Sequence, residues 1–155
     1  MPSLEKDLDH SRAAYLFAMD ALPPSAPRTL NGWTFRANHE ITAMKIELGW
    51  AFYCRYESCF EVFLKKSNII LTKKYQLSDW FAEKGIETPA WVSEGLSIYR
   101  RIRNQLHHEN GASFVGAQDQ EIQMLQEHLE KFYKMFVWCA SEIDGSSNVA
   151  TQTDG

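Results

Sequence analysis

The chain has 155 residues, enough for one domain with a real core, and its 45% apolar and 13% aromatic content excludes a disordered or fibrous protein. A net charge of −4 excludes a surface that is basic all over, so any polyanion must bind a local patch. No apolar run approaches the ~20 residues of a membrane span, and "MPSLEKDLDH" has no apolar signal core, so the expectation is a soluble, cytoplasmic protein.

Helical spacing dominates the chain. A first helix is expected through "SLEKDLDHSRAAYLFAMDAL", with Ser3 as its cap and Leu4, Leu8, Tyr15 and Met19 on one face. The proline-rich "PPSAPRTLNG" reads as a loop. A long second helix follows from about Asn38 to Lys66; Ile41, Met44, Leu48, Phe52, Cys59 and Phe63 mark one apolar face, and Tyr53, Phe60 and Leu64 another. "NIILTKKYQ" is either an extended connection or the fraying end of that helix. A short helix starts near Ser78 and closes at Gly85 in a left-handed conformation. The fourth helix has Thr88 as cap, Pro89 at its first position and Gly111 beyond its end. The fifth runs from Asp119, backed by Glu121 and Ile122, to about Ile143. The fold class is therefore all-α, an antiparallel bundle of four to five helices forming a single domain over residues 1–143, with a flexible polar tail over 144–155.

Cys54, Cys59 and Cys139 stand at no metal-ligand spacing and read as core thiols of a reducing compartment. His10, His39 and His128 fall on separate elements and form no ligand set. No metal and no cofactor are expected, because neither paired carboxylates nor a Gly-rich phosphate loop is present.

The fourth helix concentrates the chemistry in "RRIRNQLHHENG". At about 100° per residue, with Trp91 as zero, Gly95, Ile98, Ile102 and Leu106 fall within roughly 60° and form the expected core stripe. Val92, Leu96 and Tyr99 form a second stripe leading to Arg103 and His107, which suggests another protein surface packed there. Ser97, Arg101, Asn104 and His108 lie opposite. A solvated basic helix end, stabilised at the negative C-terminal pole by up to ~1 kcal/mol, is the competing reading of the cations.

At these residues the chain resembles the HEPN superfamily (higher eukaryotes and prokaryotes nucleotide-binding domains), in the ribonuclease form that carries an R-x4-H motif. "RNQLHH" supplies Arg103, Asn104 and His108 in that pattern, downstream of the aromatic-rich "CRYESCFEVFL", and the resemblance covers roughly residues 38–143. It implies a homodimer, here through the Val92, Leu96 and Tyr99 side of the fourth helix, whose paired motifs cleave RNA without metal. A toxin–antitoxin or phage-defence setting is implied with it, together with a cognate antitoxin or defence-system partner. It also implies an acidic residue on an earlier helix. Glu57 is the candidate, pointing with Tyr53, Phe60 and Leu64; a surface carboxylate is its bland reading, and Glu61 is the alternative.

The residue chemistry is sufficient for such a reaction. RNA brings its own nucleophile in the 2′-hydroxyl. His108 moves protons near neutral pH, and Arg103 stays ionised where phosphorane charge develops. Asn104 shares a face with His108 and can orient it or hold a phosphate oxygen. Arg100, Arg101 and His107 are the expected RNA-backbone contacts, with helix capping as the structural role of His107. The rival readings are a non-catalytic HEPN module that binds nucleotide, RNA or protein, and a helical antitoxin or adaptor whose basic end docks an acidic partner.

Overall fold

The computed structural model describes residues 2–108 and 123–153, with side chains described over 3–104 and 123–146. The chain is all-α. Among the described residues there are five helices, α1 (Pro2–Asp20), α2 (Asn38–Lys66), α3 (Leu77–Glu83), α4 (Ala90–His108) and α5 (Gln126–Thr153), and one antiparallel hairpin of β1 (Arg28–Leu30) and β2 (Trp33–Phe35). No described helix is long and apolar enough to cross a membrane. The residues gather into two compact units, Pro2–Glu61 with Met124–Tyr133, and Val62–Gln123 with Lys134–Gly155.

In the first unit, α1 buries Leu4, Leu8, Ser11 and Tyr15, spaced to share one face. The Tyr15 ring meets Phe52 of α2 edge-on at 5.5 Å, and Tyr53 of α2 meets Phe132 of α5 at 4.8 Å. Arg12 donates to the Glu130 carboxylate at 2.7 Å, and the Tyr133 hydroxyl donates to Asp9. These contacts tie α1 and α2 to the first turns of α5. The segment read as a plain loop ends instead in the hairpin, with Leu30 opposite Trp33. Its two-residue turn is Asn31-Gly32, at φ 50° and 78°, the left-handed pair that matches the twist of two short strands. Prolines upstream masked a turn signal that the sequence carries.

In the second unit, α3 is started by the Asp79 carboxylate, which accepts from the Gln76 N–H at 2.8 Å, and Gly85 follows its end at φ 71° as expected. Phe81 of α3 meets Trp138 of α5 edge-on at 5.5 Å. The ambiguous "NIILTKKYQ" is an irregular connection over 69–76, with Ile69 buried and Ile70 exposed. The Pro89 carbonyl accepts from the Val92 and Ser93 N–H groups, both at 3.0 Å, so α4 starts at Ala90, one residue later than expected, and the Thr88 hydroxyl pairs with the Ser93 hydroxyl at 3.0 Å. Its expected stop at Gly111 lies outside the described residues.

The limits expected for α5 are corrected at both ends. Residues 123–125 are not helical, and the Leu125 carbonyl accepts the first helical bonds from His128 and Leu129, so the helix begins at Gln126 rather than at Asp119. The start signals at Asp119, Glu121 and Ile122 lie outside the described residues. At the other end helix continues past Ile143 to Thr153, through residues read as a polar tail. A lone Gly145 costs a helix about 1 kcal/mol against alanine but does not end it, and no proline follows.

Gly49 on α2 shows how closely the first unit packs. A methyl group there would overlap the backbone carbonyl of Met124, an atom that cannot swing aside. Gly49→Ala is therefore expected to cost about 1–3 kcal/mol, lowering Tm by several degrees. Thermal unfolding followed by circular dichroism checks this; an unchanged Tm would show that the close approach is not required.

Candidate functional site

The positions of the motif residues follow from which face of α4 is buried. The sequence gives two stripes, and the structure buries Val92, Leu96, Tyr99 and Ile102, at 0%, 6%, 2% and 3% exposure. Trp91, expected at the centre of the core face, is 47% exposed, and Gly95 and Ile98 are half-buried. The buried face is thus turned by roughly 80° from expectation, the angle between Trp91 and Tyr99 at about 100° per residue. Tyr99 anchors the buried face, its ring edge-on to Phe136 of α5 at 5.7 Å and 84°. Val92, Leu96 and Tyr99, the side of α4 expected to pair with a second copy, are buried within the single chain.

The rotation changes the setting of the motif. Arg103 stands one turn after Tyr99, follows the buried stripe and is half-buried. Asn104 is also half-buried, while Arg100 and Arg101 are exposed. His107 and His108 belong to the last turn of α4, and their side chains lie outside the described residues.

Glu57 on α2 is 4% exposed, the single buried carboxylate among the described residues. It lies on the face predicted for it, with Tyr53 and Phe60 at 0% exposure. Burial removes the bland reading as a surface carboxylate. Glu61, the alternative, is half-buried. Glu57 belongs to the Pro2–Glu61 unit, and Arg100, Arg101, Arg103 and Asn104 to the Val62–Gln123 unit.

All three cysteines are free, and none is poised as a nucleophile. Burial, helped by the Glu57 charge, pushes the Cys54 thiol up to about 11. Burial also raises Cys59 and, more strongly, Cys139. At neutral pH these thiols are protonated and inert. Among the described residues no three His, Cys, Asp or Glu side chains stand together as metal ligands.

Two clefts carry polar groups that sequence reading left unassigned. In the second unit a cleft of about 160 Å³ opens between the start of α3 and the middle of α4. Its polar lining is Ser78, Ser93, Ser97 and Arg100, with Gln76 at the base, and Leu77, Leu96 and Tyr99 form its apolar wall. The spacing of Ser93, Ser97, Arg100 and Asn104 down one side of α4 was the signal available in the sequence. In the first unit a shallow cleft of about 530 Å³ between α1 and α2 brings His10 and Ser11 beside Phe52 and Arg55. His10 therefore does have a cationic neighbour on another helix, although no ligand set forms.

No protein-family model matches the chain, and neither the curated proteins nor the solved structures contain a match to it.

The assignment of Tyr99 to the core makes a direct prediction. Tyr99→Ala should destabilise the fold by about 3–5 kcal/mol, as large aromatic truncations in cores do, and should leave the mass in solution unchanged. Denaturant unfolding and light scattering check the two halves. Full stability with loss of an assembled state would return Tyr99 to an intermolecular surface.

Proposed function

We propose that the chain is a metal-independent endoribonuclease of the HEPN type, with RNA as substrate and a cognate antitoxin or defence-system protein as its partner. The observation that supports this most is the neighbourhood on α4. Arg103 and Asn104 stand adjacent and half-buried toward its end, with exposed Arg100 and Arg101 beside them, in a chain whose net charge is −4. Half-burial suits a catalytic arginine. A guanidinium restrained by partial burial meets developing charge without reorganising, and reduced access to water strengthens the interaction.

In the proposed reaction His108 takes the proton of the RNA 2′-hydroxyl. The oxygen attacks the adjacent phosphorus, the bond from phosphorus to the 5′-oxygen breaks, and that oxygen leaves with a proton supplied by the enzyme or water. Arg103 stabilises the added charge on the phosphoryl oxygens, and Asn104 holds a phosphate oxygen or orients the imidazole.

A second reading has one observation in its favour. Because Arg103 continues the buried stripe of α4, its guanidinium could serve the fold alone, as in a non-catalytic HEPN module. One experiment separates the two. Purified protein is incubated with total RNA in EDTA, beside Arg103→Ala and His108→Ala. The proposal expects cleavage in chelator and losses of about 10²-fold or more in each variant, with the double variant Arg103→Ala/His108→Ala far from additive. No cleavage by the parent, or variants that lose Tm but no activity, would favour the second reading.

A further inference from the structure

Resting on the ribonuclease reading, we infer that the Ser78–Ser93–Ser97–Arg100 cleft between α3 and α4 is a subsite for one backbone phosphate of the RNA strand, away from the bond that is cut. Its composition suits an anion rich in acceptors. Three hydroxyls and one guanidinium supply donors, and none of the lining side chains is acidic. Hydroxyls and arginine are the usual donors to nucleic-acid phosphates. The size points the same way: at about 160 Å³ the cleft is smaller than the ~300–1,000 Å³ that encloses a whole small ligand, so it takes one group of a longer molecule.

The placement along α4 argues for a polymer. With Trp91 as zero, Ser93, Ser97, Arg100 and Asn104 fall within about 60° of one another, so the cleft and the motif asparagine lie along one side of the helix. Ser97 and Asn104 are about 10 Å apart along the axis at about 1.5 Å per residue. That distance is about three nucleotides of a stacked strand at about 3.4 Å each. A strand held at Ser97 therefore reaches Asn104 after about three nucleotides. Arg100 and Arg101 differ: Arg100 lines the cleft, whereas Arg101 does not.

The test uses the full chain with a Ser93→Ala/Ser97→Ala double variant, an Arg100→Ala variant and an Arg101→Ala control. Ser93 and Ser97 are exposed and the double variant loses only the solvent-exposed Thr88–Ser93 hydroxyl pair, so it should stay folded with a Tm within a few degrees of the parent's. For a single-stranded RNA several nucleotides long, the double variant should raise KM by about 5- to 50-fold with kcat little changed, each lost hydrogen bond contributing a few-fold to tenfold. Arg100→Ala should do the same and reduce the salt slope of binding by about one, more than Arg101→Ala does. With a dinucleotide substrate the double variant and the parent should be alike. Parent-like KM for the long RNA in both cleft variants, with cleavage intact, would overturn the subsite while leaving the ribonuclease reading in place. A parent that neither binds nor cleaves RNA would overturn both.

Discussion

The contact on which the setting of α4 depends is the Tyr99 ring standing edge-on to Phe136. It settles which side of α4 faces inward, and a helix has only one rotation to set. With Val92, Leu96 and Tyr99 inside, Arg103 is half-buried, Arg100 falls into the α3–α4 cleft, and Asn104 lies on the same side as Ser93 and Ser97. Turning the helix by the roughly 80° expected from Trp91 would have exposed a tyrosine and freed Arg103 into solvent. The chemistry assigned to the motif thus rests on a packing choice made one turn earlier.

Much of the fold was legible because its signals are local. The bounds of α2 follow from uninterrupted apolar spacing between Asn38 and Lys66, and Gly85 and Pro89 punctuate the chain where their backbone preferences require. The setting of Glu57 was legible too, since a carboxylate between Tyr53 and Phe60 shares the face of both. The rotation of α4 was not, because two apolar stripes compete there and periodicity does not say which of them a partner helix covers. That choice belongs to the partner helix, through Phe136. The short hairpin was hidden differently: three prolines announced a loop, and the Asn31-Gly32 pair within the same stretch was read as part of it. The serines of the cleft escaped notice because a hydroxyl on a helix surface carries no meaning until α3 is placed beside it.

Charge is distributed with economy. The described part of α4 has arginines at three neighbouring positions, 100, 101 and 103, in a chain that is acidic overall. Glu57 is the costly element. A buried carboxylate loses several kcal/mol of hydration, which packing alone does not return, and a glutamine would fill the same space without that loss.

The end chemistry of the RNA products tests the central claim most directly. Attack by the 2′-hydroxyl leaves a 2′,3′-cyclic phosphate (or its hydrolysed form) on one fragment and a 5′-hydroxyl on the other, and a 2′-deoxy sugar at the cleaved position blocks the reaction. Fragments that accept a 5′ label without prior phosphatase treatment, together with resistance of the deoxy-substituted strand, are the predicted result. Fragments carrying 5′-phosphate, or cleavage of the deoxy-substituted strand at the same position, would contradict the account.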